Sequence, residues 1–316
     1  MDRSRDDAPV SRNATSRPLR VMTFNVLHES MRNFNAPWVD RRPIVAETIR
    51  SIQPDIACLQ EVSARQLEDL TIDLPEYDFI EGSSSGATTL PRWASGMAPV
   101  ARWILRGFYD AGELCPILLR RGSVHSAKHG SFRLHLEPSG NFLGGVGLDL
   151  VAQHPARTPH VVNWARVEDS SGQLACFVYN THLGLLPWTA SGTAKELLER
   201  LDQDWNHEAQ ILAGDFNATP GGPVMRLLLA SGSAGPPAFR DAWVEARRQV
   251  GTGRTYHWGF GLPGPRLDYI LLRPSCLVLN AATSIARTGR VFASDHAALT
   301  TELELGQTKP ATILRS

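Results

Sequence analysis

The sequence predicts a mixed α/β or α+β domain built on large sheets, and two observations support this class. Nine short apolar runs, many of which end in polar residues, are typical of β-strands. Helical spacing of apolar residues lies between some of these runs. Many strands with a few interspersed helices indicate a fold of this class.

The predicted elements follow from local patterns. The helix over 42–52 is well defined, because Ile44, Val45 and Ile49 share a face and Pro43 is tolerated in the first turn. The other predicted helices are 194–201, 224–230 and 240–248, where apolar residues recur at the same spacing. The predicted strands are the apolar runs at 19–26, 55–60, 77–81, 116–120, 160–167, 174–182, 210–215, 267–272 and 297–305.

The length of 316 residues allows two average domains or one large domain with two sheets. No Ser/Gly/Pro-rich linker is long enough to separate two domains, and the sequence has no repeat of fixed period. Residues 1–18 and 306–316 are polar and without periodicity. We therefore expect one domain over residues 19–305, between two disordered tails.

Charge and hydropathy disfavour some classes of protein function. The 32 Lys and Arg residues balance 32 Asp and Glu residues, which disfavours a protein that holds nucleic acid by bulk electrostatics, although a local basic groove is compatible with it. No apolar run approaches the roughly 20 residues of a membrane helix, and the N-terminus lacks a secretion signal. Cys58, Cys115 and Cys176 lie in apolar runs without metal-like spacing, as expected of buried thiols. We expect a cytoplasmic protein without stable membrane insertion.

In three of the apolar strands, the residues at the C-terminal end of one face are polar. Side chains in a strand alternate with a period of two, so every second residue lies on the same face. Each of these faces begins apolar and becomes polar at its C-terminal end. Carboxylates and amides at the mouth of an apolar core need a partner, because burying them unpaired is costly. The residues that the three faces deliver to one rim are Asn25, Asn180, His182, Asp215 and Asn217.

Four further polar residues extend this set. Glu61 follows an apolar strand, Asp268 lies inside the apolar run RLDYILL, and Asp295 and His296 end the run VFASDH. An Asp and a His from separate strands supply what a histidine-centred acid/base pair requires. Oxygen donors without cysteine or paired histidine favour Mg²⁺ or Mn²⁺ over zinc. A plain polar network of turns and helix caps is the alternative explanation.

Six motifs stand in the order and approximate spacing of one superfamily. With them the chain is identified as a member of the endonuclease/exonuclease/phosphatase superfamily, which has the deoxyribonuclease I-like fold. The resemblance implies a four-layer α/β/β/α sandwich of two mixed sheets flanked by helices, with the site at one edge. It also implies hydrolysis of a phosphoester with a divalent metal. The motifs are TFNV (23–26), LQE (59–61), NTHL (180–183), GDFNATP (214–220), RLDYIL (266–271) and SDH (294–296).

The resemblance also implies a metal site. Glu61 resembles the principal Mg²⁺ ligand, and Asn25 and Asp295 complete the coordination directly or through water. Asp215 resembles the family acid that orients or deprotonates the attacking water, or that holds a second metal. One metal or two, and Mg²⁺ or Mn²⁺, stay open at this point.

The remaining motif residues resemble the phosphate-handling groups of the family. Asn217 and His182 resemble the contacts to the phosphoryl oxygens, and Asn180 lies beside them as a substrate contact. His296, paired with Asp268, resembles the family His–Asp pair that acts on the phosphate or on the attacking water. An in-line displacement needs neutralised phosphoryl oxygens, an activated water and a stabilised leaving oxygen, which these residue types supply.

A more local resemblance is to a bacterial branch of metal-dependent phosphohydrolases, through GELCPI (112–117) and WAR (164–166). It makes Glu113 a candidate substrate or metal contact, with a cap or surface role as the alternative. The chain departs from the branch at His160, where arginine is usual, and at Gly184, where an acid is usual.

Two apolar pieces accompany the site motifs. The long segment 82–112 predicts either a surface helix on the core or a lid, in which Trp103 receives an apolar or aromatic part of the substrate. Trp188 belongs to a second apolar piece that directly follows His182. These pieces and the zero net charge favour a small phosphorylated substrate, with a hydrophobic or nucleoside portion, over a nucleic-acid backbone.

The predicted function is a Mg²⁺-dependent phosphoester hydrolase that acts as a monomer on such a substrate. A nuclease of the same fold is the second reading, in which arginines and aromatic residues over 92–109 bind a strand. A binding module that keeps the fold without activity is the third, and the complete set of motif acids and histidines disfavours it.

Overall fold

Two large mixed β-sheets pack face to face. The computed structural model describes residues 17–29, 36–84, 112–134, 160–172, 174–184, 187–230, 236–274 and 276–305. In these residues the first sheet contains, in order across it, β10 (Arg248–Val250), β12 (Leu277–Ser284), β15 (Ala298–Glu304), β1 (Leu19–Asn25), β2 (Ile56–Gln60), β4 (Ile117–Arg120) and β3 (Tyr77–Ile80).

The second sheet has six described strands and lies against the first. A separate hairpin is formed by β13 (Arg287–Thr288) and β14 (Val291–Phe292). The strands of the second sheet are, in order, β5 (Val124–Arg133), β6 (Val161–Asp169), β7 (Ala175–His182), β8 (Ala209–Asp215), β11 (Asp268–Arg273) and β9 (Arg240–Asp241).

Helices cover the outer face of each sheet. On the first sheet, α1 (Trp38–Ile52) and α2 (Ala64–Asp73) pack over a cluster that includes Phe24 and Leu59. On the second, α3 (Pro187–Gln203) and α4 (Pro223–Leu228) pack over a cluster that includes Leu212. A short helix, α5 (Ala242–Glu245), follows β9. The layers are helix, sheet, sheet and helix, so the predicted four-layer sandwich is confirmed.

The alternation of side chains explains how the layers form. In β8, Ile211 and Ala213 belong to the cluster between the sheets, whereas Leu212 belongs to the cluster under the helices. Both faces of this strand are therefore buried, and the run is apolar throughout. The face that Ile211 and Ala213 share continues to Asp215, which lies at the edge of the inter-sheet core.

Strand register places the site residues side by side. β7 runs parallel to β8 with His182 opposite Asp215, and β11 runs antiparallel to β8 with Asp268 opposite Asp215. In the other sheet β1 runs parallel to β2, with Asn25 opposite Gln60. Four strands of two sheets thus end at one rim, and β11 begins there.

The predicted strands agree with the structure to within two residues at each end. Six of the described strands and one helix were not predicted, and four of these strands, β9, β10, β13 and β14, have only two or three residues each. β5 is an edge strand with mostly half-buried or exposed residues, so it shows no apolar run. β12 is also largely half-buried. The helix α2 is short, although Ser63 and Gln66 form a capping box at its start.

The predicted helix over 240–248 is wrong. Only one helical turn forms there, with the side chain of Asp241 accepting a hydrogen bond from the backbone N–H of Trp243. The chain becomes extended at Ala246, and β10 then pairs with β12 at the edge of the first sheet. Hydrogen bonds to a sheet edge therefore override the helical spacing of the sequence. Among the described residues no helix is long and apolar enough to cross a membrane.

Candidate active site

Two groups of acidic and histidine side chains meet at this rim and share Asp215. The ligand atoms of Glu61, His182 and Asp215 all lie within 4.8 Å of one another, and so do those of Asp215, Asp268 and His296. The structure therefore brings together the ends of β7 and β8, the start of β11, the residue after β2 and the segment before β15.

Asp215 lies between the two imidazoles. Its Oδ2 atom is 3.6 Å from His182 Nε2 and 3.6 Å from His296 Nε2. The same oxygen accepts a hydrogen bond from Asn25 Nδ2 at 3.0 Å, and Oδ1 accepts one from the backbone N–H of Asn217 at 2.9 Å. The carboxylate is thus fixed from both sides while the two histidines face one of its oxygens.

The His296–Asp268 pair is almost fully buried. His296 Nδ1 lies 2.7 Å from Asp268 Oδ2, and the side chains are 6% and 0% exposed. Burial lowers the pKa of His296, but Asp268 and Asp215 raise it well above its usual value. His296 is therefore an imidazolium whose Nε2–H is directed toward Asp215.

His182 is paired in the same way with Glu113. Its Nδ1 atom lies 2.6 Å from Glu113 Oε1, which also accepts the backbone N–H of Glu61 at 3.2 Å. Burial lowers the pKa of His182, but Glu113 and Asp215 raise it to about 10. Burial raises the pKa of Glu113, but the facing His182 lowers it by more, so that the pKa of Glu113 lies below its usual value. Glu113, predicted as a substrate or metal contact, lies behind His182 and orients it.

Asn217 lies beside His182. Its backbone has a positive φ of 47°, which is uncommon for a residue other than glycine. Its Nδ2 atom donates to Leu183 O at 2.7 Å and lies 2.9 Å from His182 Nε2. The amide is therefore at the rim, next to the imidazole that faces Asp215.

Glu61 is held in a strained conformation at the end of β2. Its φ is 57°, and its carboxylate accepts hydrogen bonds from Asn25 Nδ2 at 2.8 Å and from the backbone N–H of His28 at 3.1 Å. Burial raises the pKa of Glu61; His182 opposes this, and Glu113 and Asp295 reinforce it. Strained residues of this kind persist where the surroundings fix them, often at functional sites.

These residues fit a hard divalent cation. Glu61 and Asp215 supply carboxylate oxygens of one group, and burial, with the charges of Glu113 and Asp295, destabilises the charged form of Glu61, which a cation would reverse. The Nδ1 atom of His182 is taken by Glu113, so only Nε2 of this imidazole faces the group that contains Glu61 and Asp215. The amide nitrogen of Asn25 faces Glu61 and Asp215, so in this structure Asn25 joins the two acids rather than presenting its oxygen.

Ser294 connects the strand end at Asn25 to the segment with Asp295 and His296. Its hydroxyl donates to Asn25 O at 2.7 Å and accepts the backbone N–H of His296 at 3.1 Å. In the predicted motif SDH, Ser294 thus holds the backbone in place, and Asp295 and His296 are the two residues that were predicted to act at the site.

Arg41 is a site component that the sequence prediction missed. Its side chain is buried, and the guanidinium donates to Val26 O at 2.6 Å, Leu27 O at 2.8 Å, Ala293 O at 2.9 Å and Ala36 O at 3.0 Å. Burial lowers the pKa of Arg41 to about 10, although nearby Asp295 and Glu61 oppose this. The available signal was its position on the apolar face of α1.

Asn180 requires a correction. Its Nδ2 atom contacts three backbone carbonyls, at 2.8 Å (Leu59) and 2.9 Å (Cys115 and Pro116), and its Oδ1 accepts from Gln60 Nε2 at 2.7 Å. The side chain is fully buried between the sheets. It therefore joins the two sheets instead of contacting a substrate.

Two predicted substrate contacts lie beyond what the structure shows. Trp103 belongs to residues 85–111, which are outside the described residues, as is most of the predicted lid. Trp188 lies in α3, but its side chain is not described. Both stay predictions.

His160 and Gly184, the two residues at which the chain departs from the bacterial branch, contact each other. His160 Nε2 accepts the backbone N–H of Gly184 at 3.1 Å, and a Cβ atom on Gly184 would lie 2.8 Å from the same nitrogen. Burial lowers the pKa of His160 to about 4, so the imidazole is neutral. A neutral, close-packed pair thus stands where the branch carries an arginine and an acid.

Comparison with known proteins agrees with this geometry. The sequence profile of the Endonuclease/Exonuclease/phosphatase family matches residues 22–296. The chain belongs to this family. Its members are hydrolases that act on phosphoester bonds and usually use divalent metals. The chain is therefore a phosphoester hydrolase. Among curated proteins, none matches it in sequence.

Solved structures show the same fold. An endonuclease/exonuclease/phosphatase from Bacteroides vulgatus has a TM-score of 0.71 and 22% identity, over 92% of this chain and 100% of that one. A Bacteroides thetaiotaomicron mannosyl-6-phosphatase has a TM-score of 0.67 and 19% identity, over 91% and 100%. D. rerio TDP2 complexed with single-strand DNA product has a TM-score of 0.61 and 16% identity, over 92% and 100%. At such identities the likeness establishes the fold alone.

Proposed function

We propose that this protein is a Mg²⁺- or Mn²⁺-dependent hydrolase of a small phosphorylated compound. The observation that carries the proposal is the Asp215 carboxylate between two imidazoles, each 3.6 Å away and each paired with a second acid. Two imidazolium groups beside one carboxylate match a reaction in which water attacks a charged phosphoryl centre.

The roles of the side chains follow from their charges. His182 and His296, as imidazolium groups, donate hydrogen bonds to phosphoryl oxygens and neutralise the charge that develops there. Asp215 orients the attacking water and accepts its proton as the oxygen bonds to phosphorus and the ester bond breaks. The Asn217 amide, at the same rim, holds a further phosphoryl oxygen. The leaving alcohol is then protonated from solvent or from an imidazolium.

The proposed cation site consists of Glu61, with Asp215 at its edge and Asn25 bridging these two acids, and of Asp295, whose charge acts on Glu61. A bound Mg²⁺ or Mn²⁺ would polarise a phosphoryl oxygen and stabilise the developing negative charge. Glu61 follows β2 and Asp295 precedes β15, and these two strands flank β1 in the first sheet, which suits a cation held near the end of β1.

A small substrate is favoured over a nucleic-acid strand. The formal net charge is zero, and long phosphate footprints depend on clustered basic residues. One phosphate can be neutralised by His182, His296 and a cation without such a surface. The proposal further has the protein act as a monomer in the cytoplasm, as one domain over 19–305, in keeping with the buried unpaired thiols of Cys58, Cys115 and Cys176.

A metal-supplemented substrate screen tests the proposal. We expect hydrolysis of one or more phosphomonoesters or small diesters with Mg²⁺ or Mn²⁺, loss of activity in EDTA, and recovery when the metal is returned. Full activity in EDTA would contradict the cation site. Preferential cleavage of oligonucleotides, with DNA binding that weakens steeply as salt rises, would instead identify a nuclease.

A further inference from the structure

Large apolar side chains are exposed in one short loop beside the site. We call residues 256–264, with the sequence YHWGFGLPG, the aromatic loop. Trp258, Phe260 and Leu262 are 54%, 57% and 61% exposed. Single exposed apolar residues are common, but three within five positions form a patch of the kind that marks binding surfaces.

The aromatic loop is tied to the catalytic segment by its backbone. The N–H of His257 donates to Asp295 O at 2.8 Å, and Tyr256 forms a β-bridge with His296. Within the loop, the N–H of Gly264 donates to Tyr256 O at 2.9 Å. A Cβ atom on Gly264 would lie 2.4 Å from that oxygen, so only glycine allows this closure.

The backbone of the loop holds Trp258 in an unfavourable conformation. Its φ is 59°, which a bulky residue other than glycine rarely adopts. Such strain persists only where surrounding contacts fix it, and it concentrates at ligand-binding positions. An exposed tryptophan held this way costs stability twice, through its backbone and through its exposed ring, without adding to the core.

A series of ring contacts leads from the site to this tryptophan. The ring centroids of His296 and Tyr256 are 5.1 Å apart, and those of Tyr256 and Trp258 are 4.7 Å apart. The planes of both pairs are tilted by 60°, and the Trp258 side chain is more than half exposed at the outer end of the series. Trp258 is thus one ring away from the imidazolium that faces Asp215.

We propose that the aromatic loop binds a planar aromatic group of the substrate, such as a nucleobase, joined to the phosphate through its alcohol. This inference rests on the proposed phosphoester hydrolysis. A phosphate held at His296 places its organic part within reach of Tyr256 and Trp258. An exposed flat ring such as that of Trp258 stacks on an aromatic group more favourably than on a sugar or a short alkyl chain.

Adenosine 5′-monophosphate and ribose 5-phosphate form a matched pair of probes. Both carry the phosphate on the same 5′ carbon, and only the first has an aromatic base. With Mg²⁺ we expect the wild-type enzyme to have a higher kcat/KM for the adenosine ester. In Trp258→Ala this preference falls about tenfold, and in Trp258→Phe, which keeps a ring, most of it returns. Ile72→Ala, which removes another exposed apolar side chain on α2, keeps the full preference.

A binding measurement separates this inference from the proposed function. In Asp215→Asn, titration calorimetry should show tighter binding of adenosine 5′-monophosphate than of ribose 5-phosphate, and Trp258→Ala added to it should remove the difference. Hydrolysis of both esters with no preference in wild type would overturn the inference and leave the proposed function intact. Failure to hydrolyse any phosphoester would refute the proposed function.

The same variants test two other binding partners of the aromatic loop, a bilayer surface and a second copy of this chain. Cosedimentation with phosphatidylcholine vesicles that is lost in Trp258→Ala, with an unchanged base preference, would identify a bilayer surface. A change from dimer to monomer in Trp258→Ala, again with an unchanged preference, would identify a second copy of this chain. Either result would overturn the aromatic-group inference.

Discussion

Replacing Arg41 by methionine tests how the metal-site loops are held. The substitution keeps most of the side-chain volume and removes a guanidinium that donates to four backbone carbonyls at 2.6–3.0 Å. Three of those carbonyls belong to Val26 and Leu27, which directly follow Asn25, and to Ala293, which lies two residues before Asp295. Arg41 therefore fixes the positions of two predicted metal-site residues without touching a substrate.

The size of the effect follows from those contacts. Each buried carbonyl left without a donor costs about 1–3 kcal/mol, and part of this is recovered because the buried charge of Arg41 no longer needs desolvation. We expect Arg41→Met to lower the free energy of unfolding by about 3–5 kcal/mol, as measured by urea denaturation. Because the loops lose their alignment, Mg²⁺ affinity measured by calorimetry should fall as well.

Arg42 supplies the matched control, since it is the next residue on the same helix. It pairs with Asp69 at 2.5 Å and Asp73 at 2.6 Å on the partly exposed side, where ion pairs contribute at most about 1 kcal/mol. Arg42→Met should therefore lower stability by about 1 kcal/mol and leave Mg²⁺ affinity unchanged. Equal losses of stability in the two variants would refute the assigned role of Arg41.

Two further substitutions test the charges at the rim. Asp215→Asn should lower kcat by about 10³-fold with little change in stability. Asp204→Asn, on an exposed turn, is the control and should leave kcat unchanged. A wild-type rate in Asp215→Asn would remove Asp215 from the mechanism. Glu113→Gln should lower the pKa of His182 from about 10, so that the alkaline fall of kcat/KM begins about 2 pH units lower, because the imidazolium is lost as pH rises through its pKa. Glu199→Gln on the surface of α3 is the control, and an unshifted alkaline limb in Glu113→Gln would contradict the pairing.

The strand faces could be predicted because side-chain alternation is a local property. The change from apolar to polar along β8 placed Asp215 at the rim, and the structure agrees. The same rule failed for Asn180, because alternation predicts the sheet face on which a side chain lies but not how deeply it is buried between the sheets. Asn180 is one alternation earlier than His182 on β7, and that step separates a side chain buried between sheets from one that is 17% exposed.

Other features depend on contacts that no local pattern contains. A charged residue on a helix usually faces solvent, so the position of Arg41 on the apolar face of α1 did not reveal its role until the carbonyls of Val26 and Ala293 were placed around it. The aromatic loop has no periodicity, and its position beside His296 follows from the pairing of Tyr256 with a distant segment. Glu113 was ambiguous for the same reason, because its partner His182 is on another strand.

The charges at the rim explain how a chain without net charge handles phosphate. Five carboxylates, those of Glu61, Glu113, Asp215, Asp268 and Asp295, lie near three cations, His182, His296 and Arg41. Acidic side chains therefore outnumber cationic ones at the rim, and a divalent cation would lower this excess of negative charge. With such a cation present, the two imidazolium groups facing Asp215 become free to attract a phosphoryl group. The positive potential needed for the substrate is then created locally, and the rest of the surface needs no basic patch.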